Sequence, residues 1–199
     1  MKESSTKIYR ILKPVVKAYI KVFYNPKVIG IENIPKEGPV VLAGNHKSNI
    51  DPLLVCTENK RLVHFLAKKE LYKNPILRKF MENVGTIQID RDKNDTNAIK
   101  DAIKNLKKGE IIGIFPEGKR NMDKSKILLP LKQGTVSLAK KTNSTLIPFA
   151  ITGNYKIFRS DIKLIFGKSI DMDRCDSKDG NELLEYSIKK LILSNVKNK

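Results

Sequence analysis

The chain has 199 residues, enough for one domain with a substantial hydrophobic core. Lysine and arginine number 39 against 21 aspartates and glutamates, and the resulting net charge of +18 favours anionic partners such as nucleic acid, acidic lipid headgroups or phosphorylated metabolites. Two distant histidines and two cysteines without C-x-x-C spacing exclude a recognisable metal motif, so we expect no metal ion and free thiols at Cys56 and Cys175.

Residues 7–24 have the pattern of a basic amphipathic helix, with apolar residues at helical spacing on one side. The cations that fall mostly on the other side are Lys7, Arg10, Lys13, Lys17 and Lys21. Pro14 predicts a kink. Two roles remain open for this helix, packing on its own domain or lying on an anionic membrane. We divide the chain into a membrane-surface helix over 1–24 and a single α/β domain over 25–199.

After Pro26, short apolar runs alternate with helical segments. Strands are predicted at 39–44, 61–67, 85–90, 110–115, 145–151 and 162–166. Helices are predicted at 52–59, 70–83, 95–108, 131–142 and 181–194. This alternation predicts an α/β fold with a largely parallel sheet covered by helices. Because the sequence has neither a signal peptide nor an apolar run long enough to span a bilayer, we expect a cytoplasmic protein.

Four polar stretches, NHKSNID, KKE, DRDK and PEGKR, each follow a predicted strand directly. In open α/β sheets, ligands bind at the edge formed by the carboxyl ends of the parallel strands. The four stretches are therefore predicted to meet in one crevice, although they are distant in sequence.

His46 is followed by Asp51 in the stretch VVLAGNHKSNIDPLL. The two side chains can meet if the chain turns before a helix, with Asp51 as N-cap and Pro52 as first helical residue. A carboxylate that accepts a hydrogen bond from one imidazole nitrogen leaves the other nitrogen as a base. The alternative is that Asp51 only caps the helix and His46 bonds to backbone. His64 lies within an apolar strand and is predicted to be a core residue.

No G-x-S-x-G elbow occurs, and neither cysteine stands in a recognisable nucleophile context, so a covalent acyl-enzyme is not indicated. We therefore expect the base to activate a hydroxyl group of the substrate. Lys68, Arg91 and Arg120 would then hold an anionic group, since arginine offers the planar fork that suits phosphate.

Four ordered blocks between about residue 40 and 153 resemble those of the glycerolipid acyltransferase family, which includes the 1-acylglycerol-3-phosphate acyltransferases. NHKSNIDP resembles the H-x-x-x-x-D motif, and IFPEGKRN resembles the F-P-E-G-T-R-S block. Lys68, Leu71 and Arg91 fall at the spacings of the second block. LIPFAITG, around Pro148, is similar to the fourth.

The resemblance implies transfer of a fatty acyl group from acyl-CoA or acyl carrier protein to the sn-2 hydroxyl of lysophosphatidic acid, with phosphatidic acid as product and no cofactor. It implies His46 as general base, Asp51 as its orienter, and Lys68, Arg91 and Arg120 as phosphate ligands. Glu117 and Gly118 would shape the acceptor loop, with Glu117 holding Arg120 or a glycerol oxygen. Such an enzyme would act as a peripheral protein at the cytoplasmic face of a membrane with anionic lipids.

The sequence departs from the family pattern at Arg78, Lys119 and Asn121, which bears on substrate preference more than on catalysis. Glycerol-3-phosphate or another lysophospholipid therefore remains open as acceptor. Two other classes also remain open, a non-catalytic lipid-binding module and a nucleic-acid-binding protein. The second lacks any recognisable motif, and with only 7% aromatic residues we expect no nucleic-acid partner.

Overall fold

The structure, a computed structural model, describes residues 3–90, 95–172 and 177–195. The strands are β1 Lys27–Ile29, β2 Val40–Gly44, β3 Val63–Lys68, β4 Ile87–Ile89, β5 Ile111–Ile114, β6 Thr145–Thr152 and β7 Lys163–Phe166. The helices are α1 Glu3–Phe23, α2 Asp51–Glu58, α3 Pro75–Asn83, α4 Thr96–Lys107, α5 Thr135–Lys141 and α6 Ser177–Leu193.

The described strands form one sheet in the order β1-β7-β6-β2-β5-β3-β4. The five strands from β6 to β4 run parallel, and β7 is antiparallel to β6 and parallel to β1. The predicted α/β fold with a largely parallel sheet is thus confirmed. The sequence analysis missed β1, a three-residue strand that is only partly buried and too short to show an alternating pattern.

Helices cover both faces of the sheet, which explains why all five residues of β2 are buried. Val41 and Ala43 belong to a core layer shared with α4, α5 and α6. Val40 and Leu42 face the opposite layer, which α1 and α2 complete. Because successive side chains of a strand point to opposite faces, a continuous apolar run fills both layers.

The segment 70–83, predicted as one helix, is broken in two. Residues Lys69–Tyr72 form a 3₁₀ turn, and α3 begins only at Pro75. The residue before a proline avoids the helical region, and Asn74 accordingly has φ −80° and ψ 123°. Its side chain caps α3 by accepting hydrogen bonds from the backbone N–H groups of Ile76 and Leu77.

α1 is a single described helix that contains Pro14 and packs one side on the domain. Ile20 on that side is fully buried, and Tyr9 is nearly so. Ile11 and Val15, on another side, are 69% and 65% exposed. Within residues 3–90, 95–172 and 177–195, none of the helices combines the length and apolarity needed to cross a membrane.

Candidate active site

The loops that follow β2, β5 and β6 meet because these three strands are adjacent and parallel. Asn45, the first residue after β2, is buried and joins β2 to β6. Its Nδ2 donates to the carbonyl of Ile151 at 2.9 Å, and its Oδ1 accepts from the N–H of Ile151 at 2.7 Å. This pair of bonds fixes the point at which the chain leaves the sheet, one residue before His46.

His46 and Asp51 form the predicted pair. Nδ1 of His46 lies 2.9 Å from Oδ2 of Asp51, whose side chain is fully buried. The same oxygen accepts from the backbone N–H groups of Lys47 at 2.6 Å and Ser48 at 2.7 Å. With Nδ1–H donated to the carboxylate, the lone pair of Nε2 is left as the basic site of the ring.

The predicted capping role of Asp51 is wrong. α2 begins at Asp51 itself, and Ile50 occupies the N-cap position without a side-chain cap. The carboxylate turns away from the helix because the backbone N–H groups of Lys47 and Ser48, together with the imidazole, offer it three donors in the preceding loop. Capping therefore does not compete with the orientation of His46.

The second oxygen of Asp51 accepts a hydrogen bond from the hydroxyl of Tyr155, in the loop after β6. Burial and the negative charge of Asp51 raise the pKa of Tyr155 far above its ordinary value of 10.0. The phenol therefore stays protonated and acts as a donor. Both oxygens of the buried carboxylate are thus hydrogen-bonded, which a buried charge requires.

Aromatic rings fix the plane of the imidazole. The His46 ring stacks on Phe115, with centroids 4.0 Å apart and an angle of 12° between the planes. Phe115 stacks in turn on Phe65, at 5.1 Å. Gly113 makes room for this stack, because a Cβ at that position would lie 2.5 Å from the Phe65 ring.

Glu117 links two loops. One carboxylate oxygen accepts from the backbone N–H of His46 at 2.7 Å, and the other accepts from the N–H of Leu129 at 2.8 Å. Burial raises the pKa of this carboxyl above its ordinary value, against the lowering effect of the two hydrogen bonds. Each oxygen of Glu117 accepts one backbone hydrogen bond, and the contact of Glu117 with Arg120 or with a glycerol oxygen stays a prediction.

A cavity of about 930 Å³ opens beside the His46 ring. Its lining combines apolar side chains of α1, α2, α3 and β3 with four exposed cations beside the loop after β5. The apolar lining includes Leu12, Val16, Leu53, Phe65, Phe80, Met81 and Val84. The cations are Lys68, Lys119, Arg120 and Lys132. The arrangement offers an apolar compartment next to a base and a separate region for an anionic group.

Residues 25–152, which include the dyad and the loop after β5, match the family model described as acyltransferase. The chain belongs to the acyltransferase family. The family predicted from the four sequence blocks is therefore confirmed, and the protein is an acyltransferase.

Several relatives are named 1-acyl-sn-glycerol-3-phosphate acyltransferase. The protein of Bacillus subtilis (strain 168) is 30% identical over 196 residues, covering 92% of this acyltransferase and 96% of the relative. The Borreliella burgdorferi protein is 31% identical over 161 residues, covering 80% and 64% respectively. The fold is shared with the crystal structure of the 1-acyl-sn-glycerophosphate (LPA) acyltransferase from Thermotoga maritima, with a TM-score of 0.76, 24% identity, and coverage of 100% of this chain and 86% of that one.

The acyltransferase brings most of the predicted site residues to one edge of its sheet. Lys68 and Arg120 line the cavity with His46, and Nζ of Lys68 is 3.4 Å from Oε1 of Glu70. Arg91 lies outside the described residues. His64 is a core residue as predicted, 1% exposed with its Nδ1 2.6 Å from the carbonyl oxygen of Gly85.

Gly118 has a structural reason to be glycine. Its φ is +70°, and a Cβ there would lie 2.7 Å from Cε of Lys132. The glycine thus lets the Lys132 side chain lie over the loop after β5, while the Lys132 N–H donates to the carbonyl of Pro116 at 2.8 Å. Lys132 is a cavity cation that the sequence analysis missed, since it follows no strand.

Tyr155 was missed as well, although a signal for it was present. The stretch GNY follows β6, and β6 runs parallel to β2, so the rule that placed His46 at the carboxyl edge applies equally to Tyr155. Among the described residues, no cluster of three or more His, Cys, Asp or Glu side chains is arranged to hold a metal ion.

Proposed function

We propose that this acyltransferase transfers a fatty acyl group from a thioester to the sn-2 hydroxyl of 1-acylglycerol-3-phosphate and forms phosphatidic acid. The observation that carries the proposal is the His46 ring, held by Asp51 at 2.9 Å beside an apolar cavity with exposed cations. The names of its relatives from Bacillus subtilis and Borreliella burgdorferi support the same acceptor. The donor is acyl-CoA or acyl carrier protein, and the reaction needs no cofactor.

His46 acts as general base in this proposal. Its Nε2 takes the proton of the acceptor hydroxyl while the hydroxyl oxygen attacks the thioester carbonyl. The tetrahedral intermediate then collapses, the carbon–sulfur bond breaks, and the thiolate leaves and recovers the proton from the imidazolium. A thiol has a pKa of about 8.5, so the thiolate leaves readily and no covalent enzyme intermediate is required.

Asp51 is a positioning residue that keeps the proton on Nδ1 and stabilises the imidazolium as it forms. Tyr155 supports it by donating to the other carboxylate oxygen. Glu117 holds the backbone of His46 from the opposite loop. Three loops that belong to three neighbouring strands thus fix one imidazole ring.

The acceptor phosphate binds to Lys68 and Arg120, and Lys132 adds a third cation in the same cavity. We retain Arg91 as a fourth ligand, as the family resemblance implies. Arginine can bind phosphate oxygens in pairs, whereas lysine contributes a point charge. The apolar part of the cavity receives a fatty acyl chain, because its walls offer hydrocarbon contacts over three helices and a strand.

The protein attaches to the cytoplasmic face of a membrane through α1, the segment that we assign to 1–24, ahead of the α/β domain over 25–199. One side of α1 presents an apolar row to solvent, here called the exposed row. The exposed row consists of Ile11, Val15, Tyr19 and Val22. A row of apolar side chains on a basic helix is typical of helices that lie in the membrane interface.

Two of the α1 lysines are committed to the domain. Lys13 donates to the carbonyl of Asn59, and Lys17 pairs with Glu58 at 3.0 Å. Arg10 and Lys21 are exposed and remain for headgroup phosphates. The electrostatic attraction of α1 to anionic lipid therefore rests on fewer charges than the sequence count indicates, and the exposed row carries more of the attachment.

The test is acyl transfer by the purified full-length protein with each donor and a panel of acceptors: lysophosphatidic acid, glycerol-3-phosphate and lysophosphatidylcholine. We expect phosphatidic acid as product. His46→Ala should lower kcat by roughly 10²–10⁴-fold, while its far-ultraviolet circular dichroism spectrum shows that the fold is retained. Turnover close to that of the wild type would refute the role of His46, and acylation of glycerol-3-phosphate alone would refute the proposed acceptor.

A further inference from the structure

The loop that leaves β6 has an apolar tip. Ile157 is 51% and Phe158 is 72% exposed, and the exposed cations Lys156 and Arg159 flank them directly. Phe158 also has φ +60°, a backbone conformation that bulky residues seldom adopt. An aromatic ring that stays mostly exposed in an unfavourable backbone conformation points to a contact outside the chain.

The tip is continuous with the exposed row of α1. The backbone N–H of Phe158 donates to the carbonyl of Phe23 at 2.9 Å, and the two rings are 5.2 Å apart. Phe23 in turn lies 4.7 Å from the ring of Tyr19, a member of the row. Helix and loop therefore form one apolar surface. Contiguous exposed apolar surface of this kind is uncommon on soluble monomers and marks an interaction site.

We propose that the Ile157–Phe158 tip is a second membrane contact that inserts beside α1 into a bilayer containing anionic lipid. The proposal rests on the proposed function, in which the acceptor is a membrane lipid. Charge complementarity favours this partner, because Lys156 and Arg159 would meet headgroup phosphates at the depth where the apolar tip reaches the acyl chains. A second copy of this chain is disfavoured as occupant, since each copy carries a net charge of +18.

The loop that carries the tip also contacts the catalytic dyad. Tyr155, three residues before Phe158, donates its hydroxyl to Asp51. The same short loop therefore has one residue on the catalytic dyad and two on the outer surface. Inserting the tip would bring the edge of the sheet that carries His46 close to the layer in which the acceptor lies.

The absence of tryptophan from the sequence makes a direct test possible. Phe158→Trp introduces a single fluorescent reporter at the tip, and Val15→Trp introduces one in the exposed row. Ile99→Trp is the matched control, because Ile99 is 51% exposed, as Ile157 is, but lies on α4, on the opposite face of the sheet. Each full-length variant is titrated with phosphatidylcholine vesicles with and without phosphatidylglycerol, and quenching by bromine-labelled lipid reports insertion.

We expect Phe158→Trp and Val15→Trp to shift to shorter wavelength and to be quenched with anionic vesicles, while Ile99→Trp does neither. A response of Val15→Trp without one of Phe158→Trp would overturn the tip contact and leave attachment by α1. A shift of Phe158→Trp that depends on protein concentration without vesicles would overturn it in favour of self-association. Turnover of a short-chain, water-soluble lysophosphatidic acid checks the proposed function independently of either result.

Phe158→Gly provides a second test that keeps the fold, because glycine adopts φ +60° without strain. Loss of a phenyl ring that would otherwise be buried in the bilayer should weaken cosedimentation with anionic vesicles by about 10-fold. Ile99 lies within α4, where glycine would destabilise the helix, so Ile99→Ser is used as the control. Equal sedimentation of Phe158→Gly and the wild type would also overturn the proposal.

Discussion

Tyr155→Phe tests whether the base depends on the loop after β6. The change removes one hydroxyl and keeps the ring, so it deletes the hydrogen bond to Asp51 and little else. Because Asp51 is fully buried, the oxygen that loses its donor cannot turn to bulk water. Hydrogen bonds to charged groups contribute about 1.5–3 kcal/mol, and leaving a buried acceptor unpaired costs about as much.

For a domain of this length, each kcal/mol lowers Tm by about 2–4 °C, so we expect a decrease of about 3–12 °C. If 1.4 kcal/mol of that loss is expressed in the transition state, kcat falls about tenfold. KM for the thioester donor should not change, since the substitution keeps the ring of Tyr155 and removes only the hydroxyl that bonds to Asp51. Thermal unfolding and steady-state release of free thiol measure the two effects.

Tyr186→Phe is the matched control, because Tyr186 is 61% exposed on α6, a helix that packs on the face of the sheet opposite α2. It should alter neither Tm nor kcat. If Tyr155→Phe behaves like this control, the hydroxyl does not support Asp51. A loss of stability with an unchanged kcat would show that the contact serves folding alone.

Two further predictions concern the loop after β5. Arg120→Ala should raise KM for the phosphorylated acceptor far more than KM for the donor, and Arg120→Lys should recover only part of the loss. The control Lys104→Ala, at an exposed cation on α4, should change neither KM. Equal effects of Arg120→Ala on both substrates would contradict a phosphate contact. Glu117→Gln should lower the free energy of unfolding by about 1–3 kcal/mol, because the amide keeps one acceptor oxygen for two backbone N–H groups. Burial raises the pKa of Glu117, so the contribution of this carboxyl to stability is full below its ordinary pKa of 4.5 and is lost as the pH rises through its pKa in the folded state. Urea unfolding of Glu117→Gln should therefore lack that pH dependence. Identical stability and pH dependence in the two proteins would contradict the role assigned to the carboxylate.

Sequence patterns predicted the features that depend on local order along the chain. Alternating strands and helices indicated the sheet, and its carboxyl edge brought together His46, Lys68 and Arg120, as observed. The His46–Asp51 contact was predictable because only five residues separate the two side chains. The pair Asn74-Pro75 also predicts a helix start, because the residue before a proline avoids the helical region. The segment 70–83 is broken at this pair, so the proline should have been given more weight than the apolar periodicity.

Side-chain direction and distant partners were not predictable in the same way. The Asp51 carboxylate could face forward to cap a helix or backward to the loop, and in the structure it accepts from the backbone N–H groups of Lys47 and Ser48 in the loop. Its contact with Tyr155 joins residues 104 positions apart and depends on the order of strands in the sheet. The two backbone N–H groups that donate to Glu117 could not be predicted from its neighbours in sequence.

The two-sided packing of α1 limits how the enzyme can be made easier to handle in water. Deleting α1 would remove Ile20 from the hydrophobic core and would remove Leu12 and Val16 from the wall of the cavity. A shortened protein would therefore lose part of its substrate-binding surface together with its affinity for detergent and lipid. Polar replacements confined to Ile11, Val15 and Val22 would leave those inner contacts in place. For crystallisation and solution assays, polar substitutions in the exposed row are therefore preferable to truncation of the helix.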